Sequence, residues 1–194
     1  MNTFTERQKE IIETAVSIIS KKGIQRLTIK NISGNLGISE PAIYRHFDSK
    51  MEILLAILIN FKKASKATIQ RIHATGKPPL EQIEMIFSTH FSKFAANPAL
   101  AATLFSEEIF QNDKRLSREV AAIMNLSQET IETLIQKGQK SGEIRTDIRE
   151  KHLATIILGA LRLIVTQWRL TKFSFDLETE GGKLWDAIKK LLIQ

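Results

Sequence analysis

Apolar residues recur at three- and four-residue intervals along nearly the whole chain, the spacing of helices that bury one face. Ile11, Ala15, Ile18 and Ile19 mark a first helix, and Gly23 after Lys21 and Lys22 ends it. Thr28 caps a short second helix that ends near Leu36, where Gly37 supplies a turn favouring positive φ. Ser39 is the expected N-cap of a third short helix, with Pro41 in a first turn where a missing N–H costs nothing. Ser49 and Glu52 have the spacing of a capping box and open a long helix to about His73. Its first part, residues 51–61, is apolar on nearly all sides, so cover from two directions is expected. Residues 74–79, "ATGKPP", are the best linker candidate. Beyond them the pattern predicts five helices, over 80–96, 98 to about 110, 116–140, 148 to about 172, and 183–193. Residues 171–175 alone have mild strand character, so the chain reads as all-α with about nine helices.

Composition adds a few exclusions. The 194 residues are 43% hydrophobic and 25% charged, the balance of an ordinary globule. The absence of cysteine excludes disulfides and thiolate metal sites. The longest uncharged run, 94–106, is too short to cross a bilayer and contains Pro98. Glu6, Arg7, Lys9 and Glu10 precede any apolar stretch, unlike a signal peptide, so a cytoplasmic protein with no membrane association is expected. The net charge is +7 and unevenly placed. Residues 1–75 hold twelve Lys/Arg against six Asp/Glu, and residues 76–194 hold sixteen against fifteen. A basic N-terminal end suits a polyanion, although a solvated lysine-rich face gives the same count.

The stretch "SEPAIYRHFDSK", 39–50, is where this charge acquires chemistry. Two short helices joined through Gly37 make a helix-turn-helix. In the second of them Ile43 and Phe47, four apart, point inward together, and Ile38 packs under the turn. Ser39, Glu40, Ala42, Tyr44, Arg45 and His46 then face outward to varying degrees. Arginine takes a bidentate grip on guanine, and Tyr and His reach phosphate or base edges. Thr28, Ser39 and Ser49 mark helix starts with unpaired N–H groups that attract phosphate. Lys50 sits in a first turn, where a cation is unfavourable for the helix, so a phosphate and a merely solvated lysine are equally good readings of it.

On these residues the N-terminal part resembles the DNA-binding domain of the TetR family of bacterial transcriptional regulators. "LTIKNISGNLGISEPAIYRHFDSKMEIL", 27–54, carries the likeness: a threonine-led second helix, a Gly-Ile-Ser turn, Tyr-x-x-Phe in the third helix and a Ser-Lys entry to the fourth. The resemblance implies a DNA-binding domain over 1–48, its motif extending to about 65, and a helical effector-binding and dimerisation domain over 49–194. It implies DNA contacts at Thr28, Ser39, Glu40, Ala42, Tyr44, Arg45, His46 and Lys50. Three positions depart from the family pattern. Gly34 replaces a better helix former, suggesting a softer or closely packed helix; Leu36 replaces a small residue; Glu40 puts a negative charge at the tip of the reading helix. Glu40 can accept from cytosine or repel wrong sequences.

The remaining residues suggest a ligand and a second copy of the chain. Phe87, Phe91 and Phe94 share a helix face, with Leu104, Phe105 and Phe110 following. Plain core packing explains most of them, and the wall of an apolar cavity is the functional alternative. The candidate effector pocket comprises Phe87, His90, Phe91, Phe94, Leu104, Phe105, Glu107, Met124, Asn125, Leu161 and Arg162. Leu153, Ile156, Ile157, Ala160, Ile164 and Trp168 form one apolar stripe, and Leu184, Trp185 and Ile188 another. The family resemblance implies that the two helices carrying them pair with their copies in a dimer. A short reading helix specifies few base pairs, so a twofold pair on a palindromic operator is the economical solution. The implied mechanism is a repressor released by a small apolar effector, with the long fourth helix as lever and no cofactor. Two alternatives compete. An all-α enzyme is disfavoured because His46, His73, His90 and His152 lack a metal-binding spacing. A sequence-indifferent DNA-coating protein is disfavoured by the nearly neutral C-terminal part.

Overall fold

The computed structural model describes residues 4–105 and 113–193. The described residues form nine α-helices: α1 Glu6–Lys22, α2 Ile29–Leu36, α3 Glu40–Tyr44, α4 Lys50–Ala74, α5 Pro79–Ala96, α6 Pro98–Leu104, α7 Lys114–Ser141, α8 Glu150–Leu170 and α9 Leu177–Leu192. A 3₁₀ turn, Ile24–Arg26, precedes α2. The expected helix over 98–110 is seen as α6, and its final residues, with Glu107 and Phe110, lie outside the described ones. The helices group into two compact units, one of residues 1–62 and 97–120, the other of 63–96 and 121–194.

In the first unit α1 packs on α2, on the 3₁₀ turn and on α6. Its core is aliphatic: Ile11, Ala15, Ile19, Leu27, Ile32, Ile43, Ile53, Leu58, Ala99 and Leu116 are buried. Thr5 and Gln8 close a capping box at the start of α1, and Lys21 and Lys22 complement the dipole at its end. Lys62 of α4 and Glu119 of α7 form a part-buried ion pair at 2.7 Å.

In the second unit α9 packs on α5 and α8. Phe87, Phe91, Phe94, Trp168 and Trp185 are buried. Phe87 and Phe91 meet edge to face at 4.8 Å, and Phe87 lies 5.5 Å from Trp185. The "ATGKPP" segment is an ordered turn inside this unit. Gln82 pins it, meeting His73 Nδ1 at 2.8 Å and donating to the Lys77 carbonyl at 2.7 Å.

Residues 171–175, the stretch with mild strand character, form a turn, with Lys172 and Phe173 in the left-handed region and the Phe173 ring against Trp168 at 4.6 Å. One expectation is corrected. The last helix starts at Leu177, six residues before the predicted Lys183, because Asp176 caps it by accepting from the Thr179 amide at 2.6 Å. Gly181 and Gly182 therefore lie inside a helix. A Cβ on Gly181 would overlap the Phe91 ring, so the glycine is what allows α5 and α9 to close. Gly34, by contrast, faces open space, and close packing does not explain it.

Candidate nucleic-acid interface

The turn that aims α3 is built from backbone. Thr28 Oγ1 accepts from the Asn31 amide at 3.1 Å and starts α2. Gly37, at φ 65° and ψ 29°, ends it, and the amides of Gly37 and Ile38 both return to the Ser33 carbonyl. The chain then enters α3 through Ser39 in extended conformation, with Pro41 in the first turn. Ser39 holds the N-cap position without a side-chain cap bond, contrary to the usual use of a serine there. Ile43 and Phe47 are buried and anchor the helix. Gln8 Nε2 donates to the His46 carbonyl at 3.3 Å and ties the end of this segment to α1.

This anchoring fixes what faces outward. Ser39, Glu40, Arg45 and Thr28 are exposed, Tyr44 is 49% exposed, and Ala42 and His46 are half-buried. Lys50, the first residue of α4, is also exposed. Ser49 Oγ accepts from the Glu52 amide at 3.3 Å, as expected of a cap. The Glu52 carboxylate departs from a standard capping box by reaching one residue further back, to the Asp48 amide at 2.8 Å. Its second oxygen stands 3.6 Å from Arg115 at the start of α7. Sequence reasoning missed four further cations. Lys21, Lys22, Arg26 and Lys30 are exposed like Arg45 and Lys50, and none of the six is ion-paired with a described residue. The charge excess of residues 1–75 was their signal. Arg7 and Lys9 on the same unit are instead paired with Glu10 and Glu6.

The candidate effector residues separate. Leu104 is buried and Phe105 half-buried in the first unit, whereas Phe87, His90, Phe91, Phe94, Leu161 and Arg162 belong to the second. Met124 and Asn125 are exposed on α7, so neither lines the interior. Helical rotation is the reason, since the neighbouring Ile123 takes the buried position. His90 Nδ1 lies 2.7 Å from the Ile86 carbonyl. Burial lowers its pKa, the Ile86 carbonyl opposes that shift, and the Lys93 charge adds to it.

A pocket of about 210 Å³ lies between α5 and α9. Phe87 and Phe91 line it, together with Trp185, Gly181 and Gly182, and Glu84, Glu178 and Asp186 add carboxylates. Ser92 Oγ donates to Glu178 at 2.5 Å, and Lys189 stands 3.7 Å from Glu84. The helical Gly-Gly pair was the available sequence signal for this wall.

The dimer stripes also divide. Leu153, Ile157, Trp168, Trp185 and Ile188 are buried within the protomer, so a partner cannot reach them. Ala160, Ile164 and Leu184 are half-buried, and Ile156 is 50% exposed. The predicted stripe was too wide, merging the inward face of each helix with its outer edge.

Comparison with known proteins places this architecture. Residues 11–57 match the family described as bacterial regulatory proteins, tetR family, and residues 60–194 match the YsiA-like protein C-terminal region. The chain is similar to the fatty acid metabolism regulator protein of Bacillus subtilis (strain 168), 26% identical over 174 residues covering 87% of this chain and 86% of the relative. It is also similar to the nucleoid occlusion factor SlmA of Vibrio campbellii (strain ATCC BAA-1116), 25% identical over 186 residues and 93% of each chain. Among solved structures, the transcriptional regulator FadR from Bacillus subtilis in complex with stearoyl-CoA shares the fold, with a TM-score of 0.75, 22% identity and coverage of 93% of this chain and 96% of that one. The helix-turn-helix geometry and the two family matches together show that the chain belongs to the TetR family and is a DNA-binding transcriptional regulator.

Proposed function

We propose that this regulator is a cytoplasmic repressor that binds a palindromic operator as a homodimer and leaves it when an effector with an apolar acyl chain binds the second unit. The carrying observation is the division of labour on α3. Ile43 and Phe47 hold the helix from below, while Ser39, Glu40, Tyr44 and Arg45 are exposed to solvent. In this reading Tyr44, Arg45 and Glu40 meet base edges or the adjoining backbone. Thr28, Ser39, His46 and Lys50 set register on phosphate, and Ala42 lets the helix approach closely. Lys21, Lys22, Arg26 and Lys30 add salt-dependent affinity.

The homodimer reading is supported by α8 and α9. Ile156, Leu163 and Leu170 lie seven residues apart on α8 and are 50%, 59% and 78% exposed, and Leu191 on α9 is 60% exposed. Seven-residue spacing is the seam of paired helices. The acyl effector is supported by the fatty acid metabolism regulator among the relatives and by the stearoyl-CoA held by the Bacillus subtilis regulator. Ligand sites run to roughly 300–1,000 Å³. The pocket beside Phe87 and Phe91 is smaller, so a long chain must select a state in which these rings part, and that differential affinity is what moves the equilibrium.

The test is operator retention, by fluorescence anisotropy on the DNA upstream of the protein's own gene. Tyr44→Ala and Lys50→Ala should each weaken binding tenfold or more with an unchanged helical spectrum. Stearoyl-CoA should release the wild-type complex. Retention of DNA by both variants at wild-type affinity, or a complex indifferent to stearoyl-CoA, would remove the corresponding half of the proposal.

A further inference from the structure

We propose that Thr68, Arg71 and Lys93 form an oxyanion site that takes a phosphate group of the effector. Arg71 is on α4 one turn after Thr68, and Lys93 reaches across from α5. Arg71 Nη2 donates to Thr68 Oγ1 at 3.2 Å and Lys93 Nζ donates to the same oxygen at 3.1 Å. The hydroxyl in turn donates to the Ala64 carbonyl at 2.9 Å. Two cations thus converge on one neutral oxygen, and no described carboxylate lies within ion-pair distance of either. Three other lysines of this unit do meet acids: Lys77 with Glu81 at 2.7 Å, Lys183 with Glu180 at 2.8 Å, and Lys189 near Glu84.

Like charges gathered around one hydroxyl repel, partly screened where Arg71 is exposed, and an anion seated between them relieves that repulsion. Lys93 is part-buried, and its pKa is lowered first by burial and then by the Arg71 charge. Its desolvation and the repulsion are both relieved by a tetrahedral oxyanion seated between the two heads. The guanidinium offers a planar fork to two phosphate oxygens, and the ammonium supplies a compact charge to a third. The carboxylates at the α5–α9 pocket, Glu84, Glu178 and Asp186, repel such a group, so within this unit the electrostatics favour the α4–α5 side. Lys93 precedes the buried Phe94 on α5, the helix that also carries the pocket-lining Phe87 and Phe91. The inference rests on the effector reading above and names the polar end of that ligand.

Titration calorimetry on the full chain tests it with three probes: stearoyl-CoA, inorganic pyrophosphate, and stearoyl-pantetheine, which keeps the acyl chain and lacks the phosphates. The double variant R71A/K93A should bind stearoyl-CoA and pyrophosphate at least tenfold more weakly than wild type. Its affinity for stearoyl-pantetheine and, without ligand, for the operator should stay within twofold. Thr68→Val, which leaves both cations in place, should weaken the phosphate probes three- to tenfold and serves if the double variant does not fold. Pyrophosphate binding that the double variant loses, with no stearoyl-CoA binding by wild type, supports the oxyanion site as a free-phosphate site and rejects the acyl effector. Equal binding of phosphate probes by wild type and variants, or no binding of either by wild type, overturns the site. Loss of operator affinity in the ligand-free double variant also overturns it, by making the cluster a DNA contact.

Discussion

Tyr44 shows how much a single position owes to its neighbours. Its exposure follows from Ile43 on α3 and Phe47 three residues past its end, which take the buried side of a segment too short to hide anything else. That division was legible in the sequence, because an i, i+4 apolar pair with polar residues between them has one stable orientation. The glycines were not legible in the same way. Gly34 and Gly181 are both helical, yet a Cβ on Gly34 meets nothing within 4 Å and one on Gly181 meets the Phe91 ring. The same substitution should therefore have opposite signs. Gly34→Ala removes backbone freedom in an exposed helix and should stabilise the protein by about 1 kcal/mol in urea unfolding. Gly181→Ala forces α5 and α9 apart and should destabilise it by about 1–3 kcal/mol. Matching shifts in the two variants would contradict the packing described here.

At the scale of the helix, most ends were read within a few residues, and the largest error was a start, six residues late at α9. Thr28 and Ser49 were identified as caps because an oxygen two or three residues before an apolar run has a local partner. Asp176 was missed as a cap, although the helix it starts runs through the Gly-Gly pair. Its carboxyl is held below the usual carboxylate value first by the backbone bond from Thr179, and that of Asp147 first by the Arg145 guanidinium. A depressed carboxyl contributes stability that is complete above its unfolded value of about 3.9 and lost as pH falls through the folded value. Stability should thus decline below about pH 4. Asp176→Asn keeps a neutral acceptor at the cap, so its unfolding midpoint should fall less steeply than wild type between pH 4.5 and 2.5, each pH being an approximate choice bracketing that value. Parallel curves would show that the cap does not titrate with folding.

For the whole molecule the informative helix is α8. An 18-residue window of it has a mean hydropathy of 1.4, long and apolar enough by composition to cross a membrane, and a third of that window is buried inside the protomer. The expectation of no such segment from the sequence is thereby corrected. In the proposed homodimer a second copy of the chain would cover the exposed remainder, since Ile156, Leu163 and Leu170 repeat at a heptad interval along one edge. Leu163→Glu should convert the particle to a monomer in sedimentation velocity and lower operator affinity at least tenfold, because one reading head specifies only a half-site. A variant that sediments as wild type would place the dimer face elsewhere.

The sequence by itself determined the all-helical class, the helix-turn-helix and the outward set on α3, since each depends on contacts within a few residues of the chain. Only the tertiary structure decided which side of α8 and α9 is buried, why Gly181 is a glycine, and how Thr68, Arg71 and Lys93 come together. Those outcomes depend on which helices meet, and an apolar stripe of a given width does not say whether its own protomer or another chain will cover it.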